Sequence, residues 1–163
     1  MKNIVGSVML FLVIVTNLSA QTPAATIPEF NFFKLNKSSF TNKNLASGKM
    51  IFFVFFDTDC DHCQHAIQYI SQHSEEFKKS AVYLITLDGP EKITPFMSKY
   101  GKNLKDSKNI TILQDLNKEF LPKFKPRKYP SLFLYSPKKE LMMYDDNPQN
   151  LFRFTQQINK SGK

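Results

Sequence analysis

The stretch IFFVFFDTDCDHC, at residues 51–63, joins an unbroken apolar run to two closely spaced cysteines. Ile51 to Phe56 are all β-branched or aromatic and show no polar alternation, which predicts a strand buried on both faces. Thr58 or Asp59 can cap the element that follows. The stretch therefore predicts a buried strand, a short turn and a helix that begins at about Cys60.

Strands and helices alternate through the rest of the chain. Apolar patterning predicts helices at about 60–79, 90–100, 116–124 and 148–159, and strands at 81–87, 110–113, 131–135 and 141–144. Residues 28–35 predict an edge strand, and the polar residues 38–49 predict a short helical turn. The alternation of strands with helices implies that the central strands of the sheet are parallel, and the tight turn near residue 137 adds an antiparallel hairpin. We expect an α/β protein with a central mixed sheet flanked by helices.

The N-terminal segment has the pattern of an export signal. Lys2 is followed by an apolar run at residues 4–15 and by small and polar residues that end at Ala20. The run has 12 residues, whereas a membrane-spanning helix needs about 20. We therefore expect a signal peptide at 1–20, one domain at 21–163, a periplasmic protein, and no membrane anchor after cleavage.

The chain is basic, with a formal net charge of +8. The lysines are scattered, and no base-stacking motif accompanies them, so we expect a solvated surface and no nucleic-acid partner. The basic residues at 123–128 lie in a segment rich in lysine and proline. They could favour acidic partner proteins, although a solvated loop explains them as well.

The two cysteines, Cys60 and Cys63, fit redox chemistry better than structural roles. A disulfide that closes so short a loop adds little stability. A structural zinc site needs four ligands, and a second pair is missing. The remaining interpretation is a redox-active dithiol.

Position and neighbours indicate a role for each cysteine. The start of a helix favours a negative charge, and therefore the Cys60 thiolate that would attack a substrate disulfide. Cys63, one turn later, would then resolve the mixed disulfide. His62 would stabilise the thiolate and make the pair more oxidising, whereas Asp59 and Asp61 would oppose it by like-charge repulsion.

At these residues the chain resembles the thioredoxin-like superfamily, and within it the exported TlpA/ResA-type thiol-disulfide oxidoreductases. The resemblance covers about residues 28–159 and rests on Pro28-Glu29-Phe30, on 51–63 and on Tyr129-Pro130-Ser131. It implies a thioredoxin fold with the N-terminal extension of TlpA-like domains. It also implies a cis peptide bond between Tyr129 and Pro130, beside the cysteines, where the backbone would pair with a substrate peptide.

The resemblance further implies protein thiol or disulfide substrates, a redox-recycling partner protein and no cofactor. Three residues depart from the pattern of that family, and we expect these departures to affect substrate range and rate more than the fold. Asp59 replaces the usual tryptophan before the first cysteine, Val54 replaces a buried acid that relays a proton, and Tyr129 is bulkier than the usual residue.

Three alternatives remain open. Cys60 and Cys63, with His65 one turn on, could bind Cu(I) in a metallochaperone-like protein, although the distant histidine of such proteins is missing. The protein could be a non-catalytic binding module with a vestigial cysteine pair. A peroxiredoxin shares the fold, but the proline that precedes its reactive cysteine is absent from residues 51–59.

Overall fold

The computed structural model of the protein describes residues 22–104 and 106–160. Within them, seven strands form one mixed sheet in the order β2-β1-β5-β4-β3-β6-β7. The strands are β1 Asn31–Lys34, β2 Ser39–Thr41, β3 Met50–Phe55, β4 Ser80–Thr86, β5 Ile110–Gln114, β6 Ser131–Tyr135 and β7 Leu141–Asp145. The α-helices are α1 Asp61–Gln72, α2 Pro90–Tyr100, α3 Phe120–Phe124 and α4 Leu151–Lys160.

Strand β3 is the centre of the sheet, as its apolar run predicts. It pairs in parallel with β4 and antiparallel with β6, and all six of its residues are buried. Successive side chains of a strand point to opposite faces. Phe52 and Val54 therefore join one apolar cluster, while Phe53 and Phe55 join the other.

The two faces of the sheet are covered differently. Helices α1, α2 and α4 cover one face through apolar residues that include Ile67, Phe96 and Phe154. The other face packs against α3 and the segment before β1. The Phe120 and Phe124 rings of α3 stack with centroids 4.2 Å apart. The mixed sheet flanked by helices, with an extension ahead of β3, is confirmed.

Several predicted boundaries are wrong. Strand β1 lies inside the sheet, because the unpredicted strand β2 pairs with it and forms the edge. Helix α1 ends at Gln72 and not near residue 79, since the chain turns through a short 3₁₀ helix, Ser74–Phe77. That turn buries Phe77, whose ring stacks on Phe52 at 5.5 Å.

Helix α3 begins at Phe120, four residues later than predicted. The carboxylate of buried Asp115 accepts hydrogen bonds from the backbone N–H groups of Glu119 (2.9 Å) and Phe120 (2.7 Å). Lys118, which lies between Asp115 and Glu119, has a positive φ of 55°, outside the α-helical range. The residues before Glu119 therefore form a turn that Asp115 closes.

The predicted signal peptide at 1–20 lies outside the described residues. Among residues 22–104 and 106–160, no helix combines the length and apolar character needed to cross a membrane.

Replacement of Asp115 tests how the start of α3 is held. Asp115→Ala leaves two helix-start N–H groups without their acceptor, one of them on buried Phe120. We expect the free energy of unfolding to fall by about 1–2 kcal/mol, as measured by urea denaturation. The control Asp106→Ala removes an exposed carboxylate and should change stability by less than about 0.5 kcal/mol. Equal stabilities of the two variants would contradict the capping role.

Candidate active site

Cys60 is the residue that caps the start of α1. Its backbone is extended, with φ −92° and ψ 117°. Its carbonyl accepts the first bonds of the helix, from the N–H groups of Cys63 (3.0 Å) and Gln64 (3.1 Å). The start of a helix leaves backbone N–H groups without partners within the helix, and the half-buried Cys60 side chain stands at this position. The sequence places this residue correctly.

Cys63 lies beneath Cys60, fully buried in the apolar cluster that contains Val54 and Ala66. Burial is the main cause that raises the pKa of the Cys63 thiol far above its ordinary value. The Asp57 N–H, 3.5 Å from the Cys63 sulfur, partly offsets this, while the Cys60 side chain and the Asp57 charge add to it. The two cysteines therefore differ sharply, because only Cys60 is open to a substrate.

Asp61 and His62, between the cysteines, are both exposed. Within the described residues neither side chain has a hydrogen-bond or ion-pair partner. Asp59, just before Cys60, does have one, since its carboxylate contacts the Lys92 ammonium at 2.6 Å. Asp59 thus opposes a Cys60 thiolate less than its charge alone suggests, because Lys92 compensates that charge.

The Tyr129–Pro130 peptide bond is cis, as the resemblance implies. Pro130 is buried and leads directly into β6, which pairs with β3. The half-buried Tyr129 ring packs on Phe55 with centroids 4.8 Å apart. Burial, together with the nearby charge of Asp57, raises the pKa of Tyr129 to about 12. Tyr129 therefore keeps its proton at neutral pH.

A groove of about 750 Å³ extends from this site along α1. We call it the α1 groove; it is lined by His62, His65, Gln68, Tyr69 and Gln72 of the helix, by Lys128 and Tyr129, and by the loop of Asp146, Asn147, Pro148 and Gln149. His62 follows the cysteine at the helix start and Tyr129 precedes the cis-proline. The cysteines do not line the groove, but His62 and Tyr129 do, so the groove offers a polar surface next to the cysteine pair in the chain.

Two residues of the site were missed from the sequence. Asp88, which directly follows the predicted strand at 81–87, holds Thr58 in the loop before Cys60 through two hydrogen bonds. Lys92, in the first turn of α2, pairs with Asp59. One signal could have revealed Asp88. Polar residues that follow neighbouring parallel strands meet at one edge of the sheet, where the sites of α/β proteins form, and Thr58 and Asp88 follow β3 and β4 in this way.

The other candidate features gain little support. The basic segment is largely paired, since Arg127 and Lys128 both contact Asp146, at 3.0 and 3.4 Å, and Lys123 contacts Glu119 at 2.8 Å. In the part of the chain that the structure describes, no three His, Cys, Asp or Glu side chains are grouped to hold a metal ion. The copper alternative therefore gains no third His, Cys, Asp or Glu ligand from these residues.

Comparison with solved structures identifies the same architecture elsewhere. A secreted disulfide oxidoreductase of Mycobacterium tuberculosis, homologous to E. coli DsbE, is 18% identical with a TM-score of 0.64, covering 80% of this chain and 95% of that one. A Chlorobium tepidum protein described as thiol:disulfide interchange protein DsbE is 14% identical with a TM-score of 0.69, covering 86% and 98%. An uncharacterized thioredoxin-like protein of Porphyromonas gingivalis is 16% identical with a TM-score of 0.66, covering 87% and 97%.

A comparison with curated proteins finds no match. Among protein families, the AhpC/TSA family matches residues 23–143, a span that includes every strand from β1 to β6, the cysteine pair and the cis-proline. Together with the fold, this match shows that the chain belongs to the AhpC/TSA family and has a thioredoxin-like architecture.

Proposed function

We propose that the protein is a thiol-disulfide oxidoreductase that exchanges disulfides with protein substrates through Cys60 and Cys63. The observation that carries the proposal is the asymmetry of the pair. A half-buried cysteine caps the start of a helix, and a fully buried cysteine lies one turn behind it. A nucleophile needs access and a stabilised thiolate, whereas a resolving thiol needs proximity and protection.

The proposed reaction has two exchange steps. The Cys60 thiolate attacks a substrate disulfide, forms a Cys60–substrate disulfide and releases one substrate thiolate. Cys63 then loses its proton, attacks the Cys60 sulfur and releases the second substrate thiolate, which leaves a Cys60–Cys63 disulfide. The substrate gains two electrons and the dithiol loses two. The reverse sequence oxidises a substrate dithiol, and a recycling partner protein would restore the starting state.

The second step is the demanding one. Burial raises the pKa of Cys63, so this thiol is protonated at neutral pH. Val54, which shares the apolar cluster with Cys63, offers no acid or base. The substrate sulfur gains negative charge as its bond to Cys60 breaks, and we propose that the Cys63 proton passes to it in the same step as the attack.

The α1 groove supports protein substrates over small thiols. Its lining includes His62 and Tyr129, which adjoin the cysteines and the cis-proline in the chain, and the side-chain amides of Gln68 and Gln72. Side-chain amides both donate and accept hydrogen bonds, as a peptide backbone requires. The resemblance implies in addition that the backbone at Pro130 pairs with an extended substrate segment.

The place of action is also a proposal. The basic residue, apolar run and small residues at 1–20 support export to the periplasm, with residues 21–163 as one domain. The similar Mycobacterium tuberculosis structure is of a secreted protein, which agrees with this location.

Replacement of each cysteine separates the two steps. The substrate is a synthetic peptide whose single cysteine carries a chromogenic aromatic thiol in disulfide linkage. Reduced Cys63→Ala should release the chromophore and retain the peptide on Cys60, as a stable adduct in the mass spectrum. Wild type should release the chromophore and then the peptide, and end as a Cys60–Cys63 disulfide. Cys60→Ala should release chromophore at least about 100-fold more slowly, because buried Cys63 cannot reach the substrate. Chromophore release by Cys60→Ala at the wild-type rate would contradict the assignment of the nucleophile.

Alkylation tests the asymmetry without a substrate. Iodoacetamide added to the reduced native protein at pH 8 should label Cys60 at least about tenfold faster than Cys63, because burial both shields Cys63 and raises its pKa. Peptide mapping by mass spectrometry gives the two rates. In urea the rates should converge, which serves as the internal control. Equal rates in the native protein would count against the proposed division of roles.

A further inference from the structure

The loop that carries Cys60 is short of backbone support. After β3 ends, the Phe56 N–H still reaches the Ile85 carbonyl at 2.9 Å, but the next backbone bond, from Cys60 N–H to the Asp57 carbonyl, is long at 3.4 Å. The Asp57 carboxylate accepts a bond from the Asp59 N–H within the same turn, at 2.8 Å. The position of Cys60 therefore depends on what holds the residues between Asp57 and Asp59.

One carboxylate, that of Asp88, holds the middle of this loop. A single Asp88 oxygen, Oδ2, accepts bonds from the Thr58 N–H at 2.9 Å and the Thr58 hydroxyl at 2.8 Å. The Thr86 hydroxyl adds a third contact at 3.3 Å and accepts from the Asp88 N–H at 3.1 Å. Thr58 is buried, and the Asp88 side chain is only 16% exposed. The contact is thus a shielded, charge-assisted clamp between the loops that follow β3 and β4.

Asp88 keeps its charge in this setting. Burial by itself raises the pKa of the Asp88 carboxyl, but the two bonds from Thr58 and the charge of Lys92 outweigh it and leave the pKa below its usual value. Lys92 lies 3.7 Å from the second Asp88 oxygen and 2.6 Å from Asp59. The loop is therefore attached at two successive residues: Thr58 binds Asp88 just before α2, and Asp59 binds Lys92 in its first turn.

From this geometry we infer that Asp88 is a positioning residue for the nucleophile. Through Thr58 it fixes the loop from Asp57 to Cys60, so that Cys60 stays at the start of α1 and the Asp57 N–H stays directed at Cys63. The inference deepens the proposed function and rests on it for the nucleophilic role of Cys60. The effect on Cys60 itself, however, can be measured without any exchange reaction.

The test compares Asp88→Ala with Asp88→Asn. The asparagine oxygen can still accept both bonds from Thr58, whereas alanine accepts neither. We expect Asp88→Ala to lower the rate of Cys60 alkylation and of peptide-disulfide exchange about tenfold, and to move the pH–rate profile of alkylation to higher pH. Asp88→Asn should stay within about threefold of wild type in both rates. The control Glu91→Ala removes an exposed carboxylate from the first turn of α2, three residues after Asp88, and should match wild type in both rates.

A second variant keeps the test decisive if Asp88→Ala fails to fold. Thr58→Val preserves the side-chain shape and removes only the hydroxyl bond, so it should shift both rates in the same direction by about threefold. Wild-type rates and an unchanged pH profile in Asp88→Ala would overturn the inference. Equal losses in Asp88→Ala and Asp88→Asn would also overturn it, because charge rather than the bonds to Thr58 would then be responsible. Altered alkylation in Asp88→Ala, with no peptide exchange by wild type, would support positioning and reject the proposed function.

Discussion

Burial of β3 on both faces is the constraint on which the site depends. Its side chains belong to both apolar clusters, so the strand can occupy only the middle of the sheet, between β4 and β6. From there its carboxyl end delivers Cys60 to the start of α1. The antiparallel neighbour β6 begins at the cis Tyr129–Pro130 bond, which is brought to the same edge. The cysteine pair and the proline loop therefore meet because one strand is apolar throughout.

The same packing makes two chemically identical residues different. Cys60 terminates a loop and remains partly open, while Cys63 is carried by the first turn of α1 into the apolar layer below. A raised pKa protects Cys63 from side reactions but requires a proton acceptor when it resolves a mixed disulfide. Val54 stands where the resemblance to thioredoxin-like proteins implies a buried acid, and we propose the departing substrate sulfur as that acceptor.

Local patterns in the sequence were sufficient for β3, for the start of α1, for the order of the later elements and for the residues around the cysteines. They were insufficient where distant contacts set the structure. Strand β2 is a three-residue segment stabilised by pairing with β1, and α3 begins where the Asp115 carboxylate caps it. The roles of Asp88 and Lys92 could not be predicted for the same reason. They depend on the parallel pairing of β3 with β4, which brings together the loops that follow these two strands.

The central claim is that Cys60 and Cys63 form a reversible two-electron couple. The most direct measurement is the redox equilibrium of the native protein in glutathione buffers of graded ratio, quenched with acid and read by mass spectrometry. The account predicts one transition between dithiol and disulfide, differing by the mass of two hydrogens, with a midpoint between about −120 and −270 mV. The transition should be absent from Cys60→Ala and Cys63→Ala. A native protein whose cysteines stay reduced, or form only separate glutathione adducts, across the whole series would contradict the account.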